Sequence, residues 1–251
     1  MERSIGLRIV ATVGFVGMVV VNALANILPI NGLNTGEVSA LYPSLFTPAG
    51  VTFSIWSVIY VLLLGFVVYG WVKRGDSFVS SLLPFFIGSC VLNVSWILVW
   101  HFLLPVVSVC VMVMLLIVVV RLFLKVHEVD GLHTGWEQVV VLLPFTLYAA
   151  WICVATIANV SALLVWAGWD GGFMSTEHWT ALMMGVAALL AILVTLEYKT
   201  PAFALVVVWA LFGIYLRWRD TEYMMIVYTA VAFQILLAGV IVYVMRRRVL
   251  G

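Results

Sequence analysis

The sequence predicts an all-α fold, a polytopic transmembrane helical bundle of about eight spans, and three observations carry that reading. Apolar residues make up 65% of the 251 and charged residues only 9%, with a mean hydropathy of +1.22, whereas a soluble domain carries about 25% charged residues. The apolar residues gather into runs near the ~20 residues that a helix needs to cross a ~30 Å hydrocarbon core. The Lys and Arg residues flank those runs. No loop is long enough to fold a soluble domain, and no basic surface is laid out for nucleic acid.

The first run covers residues 7–29, with Arg3 and Arg8 at its start and Pro29 at its end. Ala23-Leu24-Ala25 resembles a signal-peptidase site, but the apolar run is longer than a usual signal core, so retention is expected. Asn22 and Asn26 sit one turn apart, and amides at membrane depth are costly unless they face a neighbouring helix or a cavity, so this face is expected to point inward. Residues 30–47 form a linker with Gly32, Gly36, Glu37 and Pro43 and no Lys or Arg. A second span over 49–72 ends at Lys73-Arg74, and a third covers 82–104. Pro105 allows only a tight turn before the fourth, 106–126, whose Val, Leu and Met content reads as packing or lipid contact.

The fifth span, 138–162, contains Pro144, which invites a bend. A Gly-rich loop with Trp166, Trp169, Asp170, Gly171 and Gly172 leads to three more spans at 179–197, 201–216 and 223–245. Trp166, Trp169 and Trp179 suit an interfacial aromatic belt. With a cytoplasmic N-terminus and eight spans, ten basic residues fall inside and only Arg217 and Arg219 outside. That bias predicts both termini inside.

Chemistry-bearing residues are sparse. His127, Glu128, Asp130 and His133 share one boundary turn, which reads as a solvated loop, and no metal site is expected. Cys90, Cys110 and Cys153 lie within apolar runs and behave as small hydrophobes. Lys73, Lys125 and Lys199 all lie at span ends, which argues against a retinal Schiff base, and ion-coupled transport lacks ionisable groups at depth. No nucleophile with a partner base is legible. What remains are aromatic and amide stripes: Phe53, Trp56 and Tyr60 on the second span; Asn93, Trp96 and Trp100 with His101 on the third; Tyr148, Trp151 and Asn159 on the fifth. Spacings of three and four place such residues on one helix face. They are the packed core of a bundle or the lining of an apolar pocket with a few polar groups.

These stripes carry a resemblance. Pro48, Gly50, Phe53, Trp56 and Tyr60, then Asn93, Trp96 and Trp100 to Phe102, then Pro144, Phe145, Trp151, Ala155, Thr156 and Asn159, resemble in order and helix placement the tryptophan-rich sensory protein family. That family includes the translocator protein, or peripheral benzodiazepine receptor. Phe53 precedes Trp56 by three residues where the family usually has four, and Val51 stands where it has Trp. Counted from Pro144, Tyr148 takes the family's Trp position and Thr156 its Asn; counted from Trp151, Asn159 fits.

The resemblance implies a five-helix translocator-protein-like ligand-binding bundle over residues 1–166. The five-helix members have no counterpart of residues 167–251, read as a C-terminal three-helix transmembrane extension. It implies a Trp-rich pocket for porphyrin or haem, another tetrapyrrole or a sterol-like molecule, serving sensing, regulation or shuttling, with no cofactor required. The expected ligand-binding residues are Asn26, Phe53, Trp56, Tyr60, Asn93, Trp96, Trp100, Tyr148, Trp151 and Asn159. The expected partners are that small ligand, membrane lipid and a second copy of the chain in a homodimer. The expected location is a bacterial cytoplasmic membrane. The alternatives are an uncoupled small-molecule transporter and a porphyrin-degrading enzyme, with His101 as the one candidate axial haem ligand.

Overall fold

The computed structural model describes residues 2–128 and 135–250, and among these it contains helices and turns but no strand. Among the described residues, eight helices are long and apolar enough to cross a membrane. Asp130 and His133 of the boundary turn lie outside the described residues. The chain forms two compact units, one of Met1–Val38 with Ile55–Ile152 and the other of Ser39–Ser54 with Cys153–Gly251.

In the first unit, α1 (Glu2–Ile27) packs on α3 (Ile55–Val72) and α4 (Ser77–His101), and α4 packs on α5 (Pro105–His127). A short helix, α2 (Thr35–Ala40), interrupts the linker that the sequence suggests is irregular. The helix α4 begins earlier than its apolar run because Asp76 caps it, accepting from the backbone N–H of Phe78 and Val79 at 2.8 and 3.1 Å. That cap satisfies donors a helix start leaves unpaired. Buried Arg8 ties α1 to α3 by donating to the carbonyls of Gly70 and Lys73 at 2.7 and 3.1 Å. Its positive charge sits where the helix dipole of α3 ends negative.

The bend expected at Pro144 takes a specific form. A π-helical turn over Gln138–Leu142 precedes α6 (Leu143–Trp166), and the Leu143 N–H bonds the Gln138 carbonyl five residues back. Pro144 has no N–H to give the carbonyl of residue 140, so the ladder is already broken there and widens by one residue. The first turns of α6 belong to the first unit and its later turns to the second.

In the second unit, α7 (Thr176–Glu197), α8 (Pro201–Trp218) and α9 (Met224–Leu250) pack pairwise on one another. The later part of the linker lies against α8. The Ala49 N–H donates to the Gly213 carbonyl at 2.9 Å. The indoles of Trp209 and Trp218 donate to the carbonyls of Thr52 and Leu45, each at 2.9 Å. Gly213 permits this approach: a Cβ there would collide with Thr52 and Pro48.

Candidate functional site

The densest aromatic cluster lies in the first unit and is centred on Trp56. This ring stacks on Tyr60 at 5.4 Å, one turn further along α3. It also meets Trp96 of α4 at 6.5 Å, and Tyr148 and Trp151 of α6 edge-on at 5.9 and 6.2 Å. Trp96 in turn stacks on Trp100 at 6.2 Å. All these rings are buried except Tyr60, which is half-buried. Edge-to-face and offset pairs at such separations contribute about 0.5–1.5 kcal/mol each beyond the area they bury.

A polar seam runs beside the rings, and its atoms can be oriented by elimination. The amide nitrogen of Asn22 donates to the Met18 carbonyl at 2.9 Å and to Asn93 Oδ1 at 2.7 Å. A carbonyl can only accept, so the first bond fixes the flip of Asn22 and the second fixes that of Asn93. The Asn93 NH2 therefore faces away from Asn22. The hydroxyls of Tyr60 and Tyr148 both approach the Asn93 side chain, and that of Tyr148 also approaches Ser89, yet none of these contacts reaches full hydrogen-bond geometry. Among the described residues, Tyr60 OH, Asn93 Nδ2, Trp96 Nε1 and Tyr148 OH are buried polar atoms without a hydrogen-bond partner. A polar atom left so costs about 1–3 kcal/mol.

The structure thus brings together Trp56, Tyr60, Asn93, Trp96, Trp100, Tyr148 and Trp151. The other candidates are Asn26, Phe53 and Asn159. Asn26 is exposed and donates to the Asn22 carbonyl of its own helix at 2.9 Å. Asn22, not Asn26, supplies the inward amide of α1. Phe53 is half-buried in a 3-10 turn, Gly50–Ser54, that precedes α3, so it does not share a helical stripe with Trp56 and Tyr60. Phe53 and Asn159 belong to the second unit, where Asn159 is buried.

His101 has both ring nitrogens engaged. Nδ1 lies 3.1 Å from the Ile30 carbonyl and must donate to it, which leaves Nε2 to accept from the Thr35 hydroxyl at 3.2 Å. Its own carbonyl accepts from the Asn31 amide at 3.0 Å. The histidine therefore pins the first linker to the end of α4, and serving as an axial haem ligand would require it to release Thr35.

A family model described as TSPO-like protein matches residues 8–243. No curated protein and no solved structure matches. The family match covers the Trp56 cluster and continues through α7 and α8 into α9, so the three last spans are part of the matched pattern. A chain matched over this length, with eight apolar helices long enough to cross a membrane, is an integral membrane protein and belongs to the TSPO-like protein family.

Proposed function

We propose that the first unit binds a flat, apolar or amphipathic molecule bearing a hydrogen-bond acceptor, of the porphyrin or sterol-like class, at the Trp56 cluster. In this reading the chain senses, regulates or shuttles that ligand. The observation that carries the proposal is the set of four unpaired buried polar atoms at Tyr60, Asn93, Trp96 and Tyr148. They are rich in donors: two N–H from Asn93, one from Trp96 and an O–H from each tyrosine. A ligand carbonyl or carboxylate placed among them would remove the cost of leaving them unpaired, while the indole faces cover its apolar body. A core built only for packing gains nothing from that arrangement. Because the rings touch, a flat ligand enters by parting them, and half-buried Tyr60 is the ring at the edge of the cluster.

Titration of the purified full chain with protoporphyrin tests this. Tryptophan fluorescence is expected to fall saturably, and Asn93→Leu to weaken binding about tenfold, the value of one or two buried hydrogen bonds. An unchanged curve in the Trp56→Ala, Trp151→Ala double variant would place the ligand elsewhere. Loss of porphyrin absorbance under light, abolished by the same two substitutions, would move the reading from binding to degradation.

A further inference from the structure

A second aromatic site lies wholly within the second unit. A cavity of about 140 Å³ is bounded by the linker near Leu45, the end of α6, the start of α7 and Tyr223 ahead of α9. Trp169, Trp179 and Tyr223 supply three of its walls. Trp169 and Trp179 meet edge-to-face at 4.8 Å, and Tyr223 is braced edge-on by Trp218 at 5.1 Å. Since Trp218 also donates to the Leu45 carbonyl, the linker wall and the Tyr223 wall are fixed by the same side chain.

Size and polarity narrow the occupant. A cavity of about 150 Å³ holds one benzene-sized molecule, so 140 Å³ is far too small for a tetrapyrrole or a sterol. The lining hydroxyls of Ser161 and Thr180 spend their hydrogens on their own helices, donating to the carbonyls of Ile157 and Thr176 at 2.8 Å each. They present lone pairs to the cavity. No Lys or Arg lines it, and Asp170, Glu177 and Glu222 directly neighbour the lining residues Trp169, Thr176 and Tyr223 in sequence. The basic residues at this end are engaged, Arg219 with Asp220 at 3.1 Å and Arg217 over the Trp218 ring at 5.1 Å. The Nε1–H of Trp179 is the one lining donor buried without a partner among the described residues. Against it, two acceptor hydroxyls, the aromatic faces and the acidic residues next in sequence favour a cation that carries its own donors.

We propose that this cavity binds an organic ammonium ion whose apolar body is about one six-membered ring in size. The full chain, labelled with 5-fluorotryptophan in a neutral maltoside detergent, allows a direct test, with signals assigned by single Trp→Phe variants. Cyclohexylammonium is expected to shift the Trp169 and Trp179 resonances saturably. The neutral probe cyclohexanol should bind about tenfold more weakly, the usual worth of a desolvated cation on aromatic faces. Ser161→Phe fills the cavity and should abolish the shift. Should that variant misfold, the exposed-side combination Asp170→Asn, Glu177→Gln, Glu222→Gln is expected to weaken binding at least threefold and flatten its salt dependence. Equal binding of cyclohexanol, no saturable shift at these two indoles, a uniform shift of all tryptophans, or full affinity in the charge-neutralised chain would each overturn the proposal.

Discussion

The Trp56 cluster and the Trp169 cavity are built from the same kinds of ring and differ in which hydrogen bonds are already spent. Around Trp56, donors are left over: the Asn22 amide occupies Asn93 Oδ1, and the Asn93 NH2, the two nearby tyrosine hydroxyls and the Trp96 indole have no partner. Around Trp169, the hydroxyl hydrogens of Ser161 and Thr180 are consumed by helix carbonyls, which leaves their oxygens as acceptors beside the unpaired Nε1–H of Trp179. Aromatic content alone therefore does not indicate a ligand class. The backbone and amide contacts behind each ring set decide whether the site suits an acceptor or a cation.

Packing sets the two regions apart most strongly, so the largest expected effect is on stability. Trp56 touches four rings, and Trp56→Ala should destabilise the chain by about 3–5 kcal/mol, the usual cost of deleting a buried Trp. Trp169 is half-buried and borders a space that already exists. Trp169→Ala should cost less than half as much, as read by denaturant titration in detergent. Equal losses would mean that the cavity is as tightly packed as the cluster and would end the distinction.

A smaller effect should separate the two regions by ligand. The linker that bounds the cavity rests on α8 through Gly213, where a Cβ would strike Thr52 and Pro48. Gly213→Ala must displace that segment at a cost of about 1–3 kcal/mol, as overpacking usually does. It should lower cyclohexylammonium affinity and leave protoporphyrin quenching unchanged. Loss of both would show that the linker serves the two sites together.

The sequence made the fold class legible because composition and run length report spans directly: 65% apolar residues and short loops leave few other solutions. Which face of a span turns inward was less legible. In helices apolar all round, periodicity carries little signal, and Asn22 and Asn26, one turn apart, could not be ranked as inward and outward. Phe53 matched the spacing of a stripe, but the Pro48-Gly50 entry to α3 is a 3-10 turn, so its register differs. The start of α4 was readable in Asp76, a capping residue outside the apolar run. The linker's docking on Trp209 and Trp218 was not readable, since these contacts join residues more than 150 apart in sequence and leave no local pattern. The cavity near Trp169 was hidden for a related reason: an interfacial belt and a binding wall use the same residue types at the same place.

The smallest expected effect tests the orientation argument on which the contrast rests. Asn22→Leu removes the donor to Asn93 Oδ1 and leaves a second unpaired polar atom on a side chain that already has one. Interhelical hydrogen bonds in membranes average about 0.6 kcal/mol and reach about 1.7, and this variant should fall toward the upper value because Asn93 is fully buried. Replacing both partners removes both orphaned groups, so Asn22→Leu with Asn93→Leu should be less destabilising than the two single losses combined. A double-mutant cycle read by unfolding in detergent measures that coupling. Additive losses would mean that Asn22 does not hold Asn93, leaving the Asn93 amide free to flip. The Trp56 cluster could then present an acceptor as readily as a donor, and its difference from the Trp169 cavity would reduce to size.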